Sequence, residues 1–244
     1  MTVEMVGFEE QHLGTFAAWF NGLPHNDLWT VDWVREKTLD DPTYDPALMI
    51  AAEEDGEPVG FLLGSVANGT GWIRAFIVRE DRRREGIGAH LFETIERRFA
   101  QRDIEDVNVG WAAPRYFLPG DDVTYTDAIV FLDRHGYETD RVVRVNMDVV
   151  LTGRDFSTEA DEARLAEAGF DIRRARPEDR EAITALCLDQ GHDGWAPETA
   201  LALEKSPVPV FIALKEGEVR AFATHSVCGP VHFGPMLTHV ELRG

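Results

Sequence analysis

The chain has 244 residues, 44% of them hydrophobic and 10% aromatic, the balance of a globular protein with length for two cores of roughly 100 to 150 residues each. Its formal net charge is −20, from 44 acids against 21 arginines and three lysines, and a field of that sign argues against general nucleic-acid or anionic-membrane binding. Neither end carries an apolar run long enough for a signal peptide or membrane span, so a cytoplasmic protein is expected, and Cys187 and Cys228 are too few for a disulfide framework.

In chain order, a strand near residues 3 to 6 precedes a helix over about 9 to 21, a Gly-Pro loop, and a second helix near 32 to 39 with Asp32 at its cap. Strands at about 47 to 53 and 57 to 66 flank an acidic Asp-Gly turn, and GWIRAFIV (71 to 78) is a fourth strand, rich in β-branched and aromatic residues. A helix follows in which Ile87, Leu91, Ile95 and Phe99 recur every four positions, with Phe92 widening the stripe. DVNVGW (106 to 111) is a fifth strand, residues 125 to 135 a helix closed by Gly136, and RVVRVNMDVVL (141 to 151) a long final strand. Residues 152 to 169 read as a connection with a short acidic helix.

Residues 170 to 244 repeat the opening. EEDGEPVGF (53 to 61) and LKEGEVRAF (214 to 222) share an acidic Gly turn with Phe five residues later, and a strand and helix stand upstream of both. Helices near 177 to 190 and 197 to 205 and strands near 208 to 215, 218 to 226 and 231 to 238 are predicted for this copy. The expected division is residues 1 to 150, a linker 151 to 169, and a partial second copy 170 to 244. A sheet with no helix after its fourth strand keeps an apolar face uncovered, so the first domain or a partner copy of the chain is expected to cover it.

Arg82, Arg83 and Arg84, then Glu85, precede Gly86-Ile87-Gly88 at the start of the helix after the fourth strand. First-turn amides at the positive end of a helix bind phosphate, and glycines let a bulky anion approach. A dinucleotide fingerprint would need a third glycine where Leu91 stands, and the chain has no Gly-Lys-Ser/Thr for a nucleoside-triphosphate loop. What remains is Arg-x-x-Gly-x-Gly, here Arg83-Arg84-Glu85-Gly86-Ile87-Gly88, following Phe76 and Val78 on an apolar strand. With AIVFLDRHGYE (128 to 138) downstream, this resembles the GNAT superfamily of N-acetyltransferases, in element order over residues 1 to 150 and more weakly over 170 to 244.

The resemblance implies an α/β (α+β) fold, a mixed and mostly antiparallel sheet flanked by helices, and acetyl-CoA as co-substrate with no metal. It implies that Phe76, Ile77 and Val78 pair through their backbone with the pantetheine arm. Amides of Arg84, Glu85, Gly86, Ile87, Gly88 and Ala89, with Arg83 beside them, would hold the pyrophosphate. Asn108 would sit where two parallel strands splay. Relatives use a tyrosine of the last helix to protonate the departing thiolate, a position occupied here by Leu132; Tyr125 and Tyr116 are the alternative acids. Asp27 and Glu36 are candidate bases, and His25, Asp27 and Trp29 would shape the acceptor side. His225, His232 and His239, on separate strands, do not make a zinc set. The partners implied are acetyl-CoA and an amine of a small molecule or peptide. Because of Leu132 and the partial second copy, a non-catalytic acyl-CoA sensor or assembly module is the competing expectation.

Overall fold

A computed structural model describes residues 2–23, 28–110, 112–115, 117, 122–140, 147–229 and 231–243. The chain forms two compact units, Met1–Ile129 and Val130–Gly244.

In the first unit, β1 (Glu4–Gly7), α1 (Leu13–Asn21) and α2 (Val31–Lys37) precede β2 (Met49–Glu54), β3 (Glu57–Ala67) and β4 (Thr70–Val78). Then come α3 (Ile87–Ala100), β5 (Val107–Val109) and α4 (Thr126–Arg134), within which the division between units falls. The sheet order is β1-β2-β3-β4-β5, antiparallel except for the parallel β4–β5 pair. The fold is therefore the mixed α/β sheet expected. The cap of α2 is Thr30, whose hydroxyl accepts from the Trp33 amide at 3.1 Å; Asp32 lies instead in the first turn, where its charge favours the helix dipole. One sheet face buries an aromatic core of Phe8, Phe16, Phe20, Phe61 and Trp29. The other receives α3, whose Ile87, Leu91, Phe92, Ile95 and Phe99 are all buried, as their spacing predicts.

Close approach of α3 depends on glycine. A Cβ on Gly60 would stand 3.1 Å from both Ile87 and Leu91, one on Gly64 3.0 Å from Ile95 and from the Leu48 carbonyl, and one on Gly71 3.1 Å from Phe99. Three successive points along the helix thus rest almost on sheet backbone.

The second unit contains α5 (Glu159–Glu167), β6 (Phe170–Arg174), α6 (Arg180–Asp189), α7 (Trp195–Ala202), β7 (Val210–Lys215), β8 (Glu218–His225) and β9 (Phe233–Thr238). Its sheet is antiparallel in the order β6-β7-β8-β9. The repeat extends to backbone detail. Asp55-Gly56 and Glu216-Gly217 both have two successive positive φ values (52° and 81°, 55° and 83°), which makes the tight hairpins β2–β3 and β7–β8. After β4 and after β9 a single 3-10 turn leads to an arginine whose Nε reaches back to the carbonyl five residues earlier, Arg83 to Val78 at 3.3 Å and Arg243 to Thr238 at 2.7 Å. One face of the second sheet buries Ile183, Leu186, Phe222 and Leu237. On the face corresponding to the one that α3 covers in the first unit, Ile172, Phe211 and Met236 are exposed.

Residues 147–151 correct the expected final strand. They form no strand, and Met147, Val149, Val150 and Leu151 are 60–86% exposed, because the apolar pattern there finds no ladder to join. Residues 141 to 146 of that prediction lie outside the described residues. Both cysteines are buried, and burial pushes the Cys187 thiol up to about 11, which keeps it protonated and inert.

Candidate active site

The sheet opens where β4 outruns β5. Their register covers only Gly71↔Val107, Trp72↔Asn108 and Ile73↔Val109, and the Gly110 amide closes it on the Ile73 carbonyl at 2.9 Å. Ala75 to Val78 continue beyond, paired in register with β3 on one side. At this point the β3–β4 register jumps from Leu63↔Ala75 to Gly64↔Ile73, so β4 carries one extra residue, Arg74, at the mouth of the opening. Phe20, Leu23, Arg74, Phe76, Gly110 and Tyr125 line a pocket of ≈ 60 Å³ there. Asn108 is exposed on β5, one residue before the register ends.

Tyr125 enters this pocket from the turn preceding α4. Its Oη is buried and has no hydrogen-bond partner among the described residues. Burial, with a smaller contribution from the Asp122 carboxylate, raises its pKa above the ordinary 10, so the phenol holds its proton at neutral pH. Leu132, at the position where the resemblance puts the usual acid, is buried and has no proton to give.

The β4–α3 junction has the features of an anion cradle. Arg84 is left-handed (φ 68°), and Gly86, which opens α3, has φ 88° with nothing within 4 Å of where a Cβ would be. The first backbone bond back into the helix start is His90 N to Gly86 O at 3.0 Å, which leaves the amides of Ile87, Gly88 and Ala89 as first-turn donors. Ile87 itself is buried against the sheet, so its backbone and not its side chain serves the junction. Arg79 pairs with Asp81, and Arg82 with Glu54 and Glu85. Arg83 and Arg84 are exposed and take no carboxylate among the described residues. Two cations beside outward amides fit a diphosphate.

Of the acceptor-side residues, Trp29 is 2% exposed and stacked between Trp33 (4.4 Å) and Phe117 (5.3 Å), with its backbone N–H and C=O both bonded to the Asn21 amide, so its ring is a core wall. Glu36 lies 3.9 Å from the Arg115 guanidinium, which also donates to the Glu36 and Asp40 carbonyls at 2.6 and 2.7 Å. His25, Asp27 and Tyr116 lie outside the described residues. Among the described residues no group of three or more His, Cys, Asp or Glu is arranged for a metal.

A buried cationic cluster beneath the pocket is absent from the sequence reading. Arg74 bonds Asp41 at 3.1 Å, both side chains at most 1% exposed, and donates to the Pro114 and Arg115 carbonyls at 3.3 and 2.9 Å. Lys37, also buried, reaches the Arg115 carbonyl at 3.5 Å and lies over Trp33 and Phe117. These bonds fasten residues 114–115 to the C-terminal end of α2. The signal in the sequence was an arginine inside an otherwise apolar strand, but its acid stands 33 positions away.

Residues 15–113 match the model of the acetyltransferase (GNAT) family. No curated protein sequence matches the chain. Among solved structures, one similar over 100% of this chain (TM-score 0.71, 16% identity) is a GCN5-related glucosamine N-acetyltransferase region of a fungal multi-domain GH3 β-N-acetylglucosaminidase, of which this chain spans 32%. A ribosomal-protein-alanine N-acetyltransferase from Brucella melitensis biovar Abortus 2308 is similar over 61% of this chain and 100% of its own (TM-score 0.47, 15% identity). The ribosomal-protein-S18-alanine N-acetyltransferase of Escherichia coli is similar over 55% and 77% (TM-score 0.43, 16% identity). The parted strands, the left-handed glycine and the helix stripe lie within residues 15–113, the segment that is similar to the acetyltransferase (GNAT) family.

Proposed function

We propose that the chain is an acetyl-CoA-dependent N-acetyltransferase that transfers an acetyl group to a primary amine of a small molecule or peptide by direct attack in a ternary complex. Its working site is in the domain read as residues 1 to 150, which the linker at 151 to 169 and the partial copy over 170 to 244 follow in the chain. The reading rests on one observation above the others: the Tyr125 Oη, buried and without a hydrogen-bond partner among the described residues, shares a pocket with the strand edge beside an amide cradle.

Bound acetyl-CoA would supply the thioester carbonyl and the thiolate leaving group. The amides from Arg84 to Ala89, with Arg83, hold the diphosphate, and the backbone of Phe76, Ile77 and Val78 orients the pantetheine arm beside Asn108. As the amine nitrogen bonds the carbonyl carbon and the C–S bond breaks, sulfur must gain one proton and nitrogen lose one. Tyr125 Oη holds the first of these protons and is our acid; Tyr116 is the alternative. For the second proton Asp27 and Glu36 are the candidate bases, and His25, Asp27 and Trp29 would shape the acceptor side. Incubation with acetyl-CoA and a panel of amines (an amino sugar, a polyamine, an amino-acid amide, a short peptide), with free thiol as readout, is expected to show turnover on at least one. Buried Leu132 favours the sensor reading, under which coenzyme A binds and no amine releases thiol.

A further inference from the structure

Arg82, Arg83 and Arg84 are adjacent but differently engaged. The Arg82 guanidinium makes a fork to Glu54, Nη1 to Oε2 at 2.5 Å and Nη2 to Oε1 at 3.2 Å, and its Nε donates to Glu85 Oε2 at 2.9 Å. Glu54 is the last residue of β2, so the fork ties the loop to the sheet. Glu85 follows Arg84, so the second contact bridges over the left-handed residue. A bulky residue at positive φ persists only where its surroundings over-determine it. Here the surroundings are this clasp, since Arg84 itself makes no ion pair among the described residues. An isolated surface ion pair stabilises little. This one differs: it is bidentate, three-bonded, and its Arg82 and Glu54 side chains are only 19% and 15% exposed.

We infer that Glu54, acting through Arg82, is a positioning residue for the diphosphate of the acyl donor. The clasp holds the Arg84–Gly86 backbone in the form that turns the first amides of α3 outward. It also occupies Arg82, which leaves Arg83 and Arg84 to meet the ligand. Glu54 and Glu85 would otherwise repel an incoming diphosphate, and their charge is taken up by the same guanidinium. The Arg82 hydrogen bond holds the Glu54 carboxyl below the usual carboxylate range, so the clasp stays ionised throughout neutral pH.

The inference rests on the acetyl-CoA reading above, and its test separates the two. Binding of coenzyme A, ADP and pantetheine would be measured by calorimetry on the full chain and on Glu54→Gln, Arg82→Gln and the double variant. Glu54→Gln is expected to weaken coenzyme A and ADP by about tenfold and leave pantetheine, which lacks the diphosphate, unchanged. Arg82→Gln should lose a similar factor, and the double variant no more than either single, because both remove one clasp. Arg82→Lys, which keeps the charge without the fork, should bind as weakly as Arg82→Gln. If Glu54→Gln binds coenzyme A as well as or better than the parent chain, or if pantetheine weakens equally, the positioning role is overturned. If the parent chain binds neither coenzyme A nor ADP, the acetyl-CoA reading falls with it.

Discussion

Tyr125 Oη is buried, has no hydrogen-bond partner among the described residues, and keeps its proton at neutral pH because its pKa is raised, three conditions that suit an acid serving a departing thiolate. Tyr125→Phe is expected to lower kcat by about 10²-fold while the KM for acetyl-CoA changes less than about twofold, measured by thiol release under saturating donor. Because its folded pKa is raised, this phenol gives no loss of rate below pH 10. Its effect on stability has the same sign: above the ordinary tyrosine value the unfolded chain ionises first, so stability falls as pH rises through that region. From the sequence, Tyr125 was one of two candidate acids, and its standing depended on where α4 begins. The helix starts one residue later, at Thr126, and Tyr125 in the turn before it lines the pocket. Trp29 looked like a loop residue facing the acceptor, yet stacking on Trp33 and Phe117 buries it, an outcome set by partners 4 and 88 positions away that no local pattern encodes.

At the scale of elements, the stripe Ile87, Leu91, Ile95 and Phe99 was fully legible, because helical period alone decides which side faces the sheet. The surface it lands on was not: Gly60, Gly64 and Gly71 lie on strands whose residues read simply as apolar, and their spacing matters only once α3 crosses them. Gly64→Ala is therefore expected to destabilise the fold by about 1–3 kcal/mol in urea titration, since the new methyl meets the Leu48 carbonyl as well as the Ile95 tip at 3.0 Å. Gly86→Ala meets no atom and should cost only about 1 kcal/mol for the left-handed backbone, yet weaken coenzyme A measurably in the same preparation. The opposite ranking of these two variants in stability and in ligand affinity would contradict both assignments. The predicted strand over residues 141 to 151 shows the converse limit, for an alternating apolar run states a preference and not a partner, and residues 147–151 have none in a ladder.

At the scale of the whole molecule, the repeat was legible because hairpin chemistry is local: two acidic Gly turns imply two copies, and the φ values at 55–56 and 216–217 agree to within a few degrees. The net charge of −20 makes self-repulsion a general load on the compact state, so added sodium chloride is expected to raise the melting temperature by several degrees. Acid should act in the opposite direction through individual pairs. The Arg173 hydrogen bond holds Asp179 below its ordinary range, as Arg82 does for Glu54, and the stability these carboxylates contribute is present above pH ~4 and lost as pH falls through their lowered values, which acid titration followed by circular dichroism would show. The nearly bare backbone under α3 has a mechanical consequence. A rod of 14 residues, about 21 Å long, bears on three hard points and so cannot bend to absorb an intrusion at its far end. Added bulk near Phe99 is therefore expected to swing its near tip, the proposed diphosphate cradle, so that donor affinity would be adjustable from a spot about two nanometres away.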